Sequence, residues 1–468
     1  ITTLSAQKSP KREFRGAWIQ TVFQSEYAKM TPEEMKADFI RKLDLLQNCG
    51  INAIIFQIRP EADAWYLSEI EPWSRFCTGK QGVAPDPLFD PMAFLIKECH
   101  RRNMEFHAWL NPFRAGTSGT STLAETHVYH EHPEWFVTYN KQILFDPGLP
   151  ESRQFICRVV RDIVGRYDVD AIHMDDYFYP YPVYGDDGKL AQFDDAEEYE
   201  KYGADFDNIA DWRRDNINKI IKSVYDTVHE TDPECVFGVS PFAIWQNNNG
   251  ENGGSDTNGF EAYNSLYCDA AAWIDGGCID YISPQIYWTF DDANSAFDIL
   301  VRWWNAVLDG SNVKLYVSHA SYRYEDGNWD SPAGQLTEQV SYARSEKAYR
   351  GSIFYGYDEI NRNINGASDD IISAFRDDIV YTDIQSTGLG VAVASPASGS
   401  VMTSANTYIL GSADPYYPLT MNGEKISQTK SGIFNMYVTL EKGENSFVFE
   451  QNGMTYVYTL TYDPDTAA

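Results

Sequence analysis

Four stretches of the sequence carry polar or aromatic side chains spaced two residues apart. They are Gln57, Arg59 and Glu61 in IIFQIRPE; His107, Trp109 and Asn111 in EFHAWLNP; His173, Asp175 and Tyr177 in AIHMDDY; and Gln285 and Tyr287 in YISPQIYW. Side chains alternate along a β-strand, so each set shares one face if its stretch is extended. Asp63, Asp176 and Trp288 lie beside these sets, His319 ends KLYVSHA and Asp358 ends GSIFYGYD. The inventory is carboxylates, imidazoles, amides and aromatic rings. A glycine-rich phosphate loop is missing, which argues against nucleotide chemistry. A GxSxG elbow is missing too, so a serine hydrolase has no nucleophile candidate. His127, His130 and His132 in THVYHEHPEW match neither HExxH nor a barrel-strand HxH and read as loop histidines, so no metal or other cofactor is expected. Carboxylate catalysis remains. Glycosidic bonds are cut by two Asp or Glu groups, one a nucleophile or base and the other a proton donor with raised pKa. Trp and Tyr faces can stack on pyranose rings, while Arg, His, Asn and Gln take the hydroxyls.

Such residues converge only if the chain lines up its strand ends. Strand patterns fall at 15–22, 53–60, 105–113, 171–177, 236–242, 281–288, 314–320 and 351–358. Helical patterns lie between them at 31–49, 91–102, 151–167, 212–230, 291–305 and 336–349, the first opening with a Thr N-cap followed by Pro. Eight strands with intervening helices predict an α/β fold of the (β/α)8 TIM-barrel type, whose enzymes build their sites at strand C-termini. An open doubly wound sheet would show a glycine-rich first turn, and RGAWIQTVF has none. After Tyr381 the chain turns Ser/Thr/Val/Tyr-rich with turn signals, which predicts a small all-β immunoglobulin-like sandwich. The division is a tail over 1–13, a barrel over 14–380 and a sandwich over 381–468.

Composition narrows the partners. Lys and Arg number 37 against 68 Asp and Glu, a net charge of −31, so nucleic acid and anionic membranes are disfavoured. The 15% aromatic content, with 12 Trp and 31 Tyr, fits neutral polar ligands with flat apolar faces, sugars above all. Seven scattered cysteines without CxxC pairs read as buried thiols, and no apolar run is long enough to span a membrane. The start ITTLSAQKSPKREF lacks an initiator Met and an apolar targeting core. A processed N-terminus, export to the periplasm, cell surface or beyond, and a monomer are the expectations.

The segments EFRGAWIQTV, NAIIFQIRPEADAWY, DPLFDPMAFLIKECHRRNMEFHAWLNPFR, LFDPGLPESRQFICRVVRDIVGRYDVDAIHMDDYFYPYP, VFGVSPFAIW, DYISPQIYW and GSIFYGYDEI are long and occur in this order. Together they resemble the bacterial glycosyl hydrolase-like family 10 over residues 13–378. The resemblance implies a TIM-barrel glycoside hydrolase, exported, acting on bacterial envelope or other polysaccharide, with peptidoglycan glycan strands as one substrate class. It is also distantly similar to the wider clan in which an Asp ending strand four is the nucleophile; by position that is Asp175, with Asp176 as the alternative if the strand bends. The strand-five end VSPFAIW has Ser240 and Trp245 but no carboxylate, where that clan has Glu. The partner acid is therefore sought among Glu61, Asp63 and Asp358, for which the plain structural roles are a salt bridge to Arg59 for Glu61 and a helix N-cap for Asp358. Arg59, Asp63, His107, Trp109, Asn111, His173, Tyr177, Gln285, Tyr287, Trp288 and His319 are the expected substrate contacts. Two other readings stay open: a barrel that binds glycan without cleaving it, and a metal-dependent amidase or deacetylase.

Overall fold

The computed structural model describes residues 12–185, 188–329, 331–375, 382, 391–414, 418–429, 432–451 and 454–466. Most of the predicted tail and the predicted boundary at 380/381 lie outside these residues. Two compact units result, one built around a barrel and the other entirely of strands.

Eight parallel strands close the barrel: β1 (Phe14–Ile19), β2 (Ala53–Arg59), β3 (Glu105–Leu110), β4 (Ala171–Met174), β5 (Val236–Val239), β6 (Tyr281–Ile282), β7 (Lys314–Ala320) and β8 (Tyr349–Tyr355). Each pairs with its sequence neighbours, and β8 returns to β1 with Phe14 opposite Gly351. The (β/α)8 reading therefore holds. Helices α1 (Pro32–Asn48), α2 (Pro91–His100), α3 (Pro150–Arg166), α4 (Ile209–Thr231), α5 (Phe297–Val307), α6 (Gln335–Ala343) and α7 (Ala367–Phe375) lie among the strands in sequence. Thr31 and Glu34 cap α1 reciprocally, satisfying backbone N–H groups that have no partner within the helix. The sequence places a helix start at 291, but α5 begins at Phe297. The Asp292 carboxylate accepts from the Asn294 and Ser295 N–H groups and holds that stretch as a turn.

Two apolar layers position the site. Between strands and helices lies a continuous core, to which α3 contributes Phe155, Ile156, Val159, Val160 and Ile163. Inside the barrel sits a smaller aromatic cluster: Phe14, Trp18, Ile55, Trp109, Tyr281, Tyr316 and Ile353. Tyr281 crosses this interior over Gly238 of β5, where a Cβ would stand 2.0 Å from its ring. A side chain at Gly238 would expel the ring that organises the interior.

The second unit has a three-stranded sheet of β9 (Ala392–Ser395), β11 (Asn406–Ser412) and β14 (Ile433–Thr439). Its five-stranded sheet comprises β10 (Ser400–Met402), β12 (Leu419–Met421), β13 (Glu424–Ile426), β15 (Gly443–Gln451) and β16 (Met454–Tyr462). Side chains from both, including Ile409, Phe434, Leu419, Phe449, Tyr458 and Leu460, share one core. This is the sandwich arrangement the tail predicts.

Candidate active site

β4 ends at Met174, three residues before the predicted limit, and the chain bends at Asp176. A regular strand would point Asp175 and Asp176 to opposite faces. The early end brings both carboxylates to the wall of one cavity of about 300 Å³. Around them stand Trp18, Trp109, Tyr177, Tyr181, Ser240, Phe242, Gln285, Tyr287, Trp288, Tyr322, Arg323 and Tyr355.

Three strand ends hold Asp175. The Thr21 and Val22 N–H groups each donate to Gln57 Oε1 at 2.8 Å, which fixes the amide so that Gln57 Nε2 donates to Asn111 Oδ1 at 2.6 Å. Arg114 Nη2 donates to the same Asn111 oxygen at 2.5 Å. The Asn111 amide nitrogen is thereby turned toward Asp175, and Asn111 Nδ2 donates to Asp175 Oδ2. Trp109 Nε1 donates to that same oxygen at 3.0 Å, while Asp175 Oδ1 receives only the Tyr177 N–H at 3.3 Å. Burial raises the Asp175 pKa from its ordinary value, opposed by the Arg114 charge and these donors.

Asp176 differs. Burial first, and then the negative charge of Asp175, push it up to about 7, against hydrogen bonds from the Tyr181 hydroxyl and Gln285. The charge of Asp175 raises Asp176, so Asp175 ionises first. Burial and the neighbouring charge make Asp176 the proton holder of the pair, a division of labour of the kind glycoside hydrolysis uses.

Beneath the cavity a buried chain runs through the barrel. Glu105 Oε2 accepts from His107 Nε2 (2.9 Å), which leaves His107 Nδ1 to accept from the Tyr281 hydroxyl (2.9 Å). The Tyr281 oxygen then accepts from His173 Nδ1 (2.8 Å), and His173 Nε2 accepts from Ser240 Oγ (3.0 Å) and, more weakly, from Trp18 Nε1 (3.4 Å). Burial pushes His107 down to about 4 and His173 well below its ordinary value, so both stay neutral and the tautomers are set by Glu105. Ser240 spends its proton on His173 and faces the cavity as an acceptor.

The predicted contacts separate accordingly. Trp109, Tyr177, Gln285, Tyr287 and Trp288 line the cavity with the two aspartates; Asn111 acts through Asp175; His107 and His173 lie below it in the buried chain. His319 lies outside the cavity because inward parity on β7 belongs to Tyr316 and Ser318. Its ring stacks on Phe297 and Phe354 and bonds Gln339 and Ser352. Arg59 is fully buried, clasping Glu71 and donating to the Asn111 and Pro112 carbonyls. Glu61 pairs with Arg75 at 2.6 Å, not with Arg59, and accepts from the Thr117 N–H and hydroxyl. Burial would raise its pKa, yet these donors hold it below the usual value. Asp63 is fully buried between the Glu61 N–H and Gln81, raised to about 7 by burial and by Glu61. Asp358 lies in the first turn of a short helix, Tyr357–Arg362, and lines a separate cavity of about 680 Å³ that shares Trp18, Tyr322 and Tyr355 with the first. His127 accepts from the Tyr129 N–H, and its other nitrogen meets the Glu61 carbonyl. Among the described residues no three His, Cys, Asp or Glu side chains are grouped to hold a metal.

Trp18, Ser240, Phe242, Tyr322, Arg323, Tyr355 and the Arg114 support were not among the expected contacts. The inward parity of Trp18 on β1 and of Tyr355 on β8 was available as a signal. Arg323 and Tyr322 sit in a 3-10 turn after β7 and carry none.

The family model of glycosyl hydrolase-like 10 matches residues 13–332. The chain belongs to this family. It is 40% identical over 376 residues to the glycosyl hydrolase YngK of Bacillus subtilis, covering 78% of this chain and 72% of that one. It is 34% identical over 375 residues to the glycosyl hydrolase DigH of Escherichia coli K12, covering 74% and 84%. Among solved structures, the glycoside hydrolase domain of PgaB from Bordetella bronchiseptica aligns with a TM-score of 0.47 at 12% identity, over 78% of this chain and 99% of that one. Family membership supports a glycosidase-type function. No helix among the described residues is long and apolar enough to cross a membrane.

Proposed function

We propose that the protein is an exported glycoside hydrolase that cleaves O-glycosidic bonds within a polysaccharide, bacterial cell-wall glycan being the leading candidate. One observation carries the reading: consecutive carboxylates share an aromatic-walled cavity at the C-terminal end of the barrel, with Asp176 pushed up to about 7 by burial and by the charge of Asp175. Asp176 donates its proton to the leaving oxygen, and Asp175 stabilises the positive charge that develops at the anomeric carbon. Trp18, Tyr177, Tyr287 and Trp288 supply faces for sugar rings. A polymer is favoured over a single sugar because the larger, polar cavity adjoins the first across Trp18, Tyr322 and Tyr355. Export is supported by the appended sandwich and the polymer-directed reading of the cleft. The test is incubation with peptidoglycan glycan strands and a panel of neutral polysaccharides, with released products read by mass. Products that disappear with Asp176→Asn are expected. Binding without products from any glycan would favour the non-catalytic reading.

A further inference from the structure

Retaining and inverting mechanisms with two enzymic carboxylates place them on either side of the scissile bond, about 5–5.5 Å or 6.5–9.5 Å apart. This cavity is built differently. Its carboxylates are adjacent residues at the end of one strand, and the other walls carry Trp18, Tyr287, Tyr322, Tyr355, Phe242, Ser240 and Gln285. Among the described residues no third carboxylate lines it. Glu61 is neutralised by Arg75, Asp63 is walled in by Gln81 and the Glu61 backbone, and Asp358 faces the neighbouring cavity. Asp175 is also held away from attack through one of its oxygens: Oδ2 already takes two N–H donors, from Trp109 and Asn111. Its Oδ1, met only by one long backbone bond, is free to accept an N–H from a ligand.

We propose that the nucleophile belongs to the substrate: the site takes β-linked 2-acetamido sugars, and the acetamido carbonyl oxygen attacks the anomeric carbon while Asp175 Oδ1 accepts the amide N–H. This rests on the glycosidase reading above. In the first step the amide oxygen forms a bond to C1 from the face opposite the leaving group. The C1–O glycosidic bond breaks, and the Asp176 proton passes to the departing oxygen. The product is an oxazolinium ring whose positive N–H faces the Asp175 carboxylate. In the second step water, giving a proton to the Asp176 carboxylate, adds to C1 and opens the ring. The acetamide is regenerated, the sugar keeps its β configuration, and no external reagent is consumed. The requirement is geometric: only a 1,2-trans acetamido group can reach the back of C1. Asp175 is then the group that orients and charges the amide, and Asp176 the acid and base.

The experiment compares the intact protein on three oligomers of equal length: β-1,4-linked N-acetylglucosamine, its N-deacetylated form, and the glucose oligomer. Cleavage confined to the first is expected, with the β-anomer released. Replacing the acetyl of an aryl N-acetyl-β-glucosaminide by mono-, di- and trifluoroacetyl should lower kcat stepwise by orders of magnitude, because fluorine weakens the attacking oxygen. A thiazoline analogue of the oxazoline should inhibit competitively. Asp175→Gly should lose more than about 10²-fold in kcat and gain nothing from added azide. Cleavage of the glucose or deacetylated oligomer overturns this proposal and leaves the glycosidase reading intact. So do an α-anomeric product, insensitivity to fluorination, and an α-glycosyl azide formed by Asp175→Gly. Failure to cleave any glycan in the wider panel overturns the glycosidase reading itself.

Discussion

Two pairs of close carboxylates follow strands of the barrel, one after β2 and one after β4 with β3 between them, and only the second lines the aromatic cavity. Glu61 and Asp63 follow β2; Asp175 and Asp176 follow β4. In each pair one member is raised to about 7 by burial and by its neighbour's charge. All four are nearly inaccessible, at 1%, 0%, 5% and 2% exposure. Neither burial nor a displaced pKa therefore separates them. What separates them is vacancy. Glu61 is spent on Arg75 and Thr117, and Asp63 has its two oxygens taken by the Glu61 N–H and Gln81. Asp175 and Asp176 each keep capacity toward a cavity walled by aromatic rings. A perturbed carboxylate marks a functional site only when something remains for a ligand to bind.

Breaking the pairs in turn should expose this difference. The largest effect belongs to Asp176→Asn, expected to lower kcat on glycan by about 10²–10⁴-fold. The folded Asp176 pKa lies above its unfolded value, so wild type loses stability as pH rises from about 4 through 7. The Asn variant escapes that loss, and its Tm should gain on wild type between pH 5 and pH 8. Glu61→Gln should do the reverse, leaving Arg75 without its carboxylate. Destabilisation of about 3 kcal/mol in urea titration, with kcat of the folded fraction unchanged, is the expected outcome. Asp63→Asn removes a raised carboxyl from a site without chemistry. Its kcat should stay within about twofold of wild type, while its Tm relative to wild type rises by a few degrees from pH 5 to pH 8. The smallest effect is a shift. Activity needs Asp176 protonated, so kcat/KM should fall as pH rises past about 7. The Tyr181 hydroxyl favours the ionised form, so Tyr181→Phe should move that alkaline limb upward while wild-type activity persists below it.

Much of this was legible in the sequence because it depends on period and order. Eight alternating strand patterns predict the barrel, and inward parity finds Asp175, Trp109 and Gln285. Parity fails where a strand ends or slips. Asp176 reaches the cavity because β4 stops at Met174, and His319 leaves it because the inward phase of β7 runs through Tyr316 and Ser318. Arg59 and Glu61 look like site residues by type and spacing, but their partners, Glu71 and Arg75, lie 12 and 14 residues further on in a loop whose path no local pattern sets. Arg114 and Tyr322 depend likewise on a loop sheet and a short turn.

The central claim is that Asp176 is the acid that protonates the leaving oxygen. Leaving-group dependence tests it directly. Asp176→Asn should retain near wild-type kcat/KM on an aryl glycoside with a dinitrophenyl leaving group, which departs without a proton. It should lose about 10²-fold or more on glycan oligomers, whose leaving alkoxide needs one. Equal losses on both substrates would contradict the account and move the acid elsewhere.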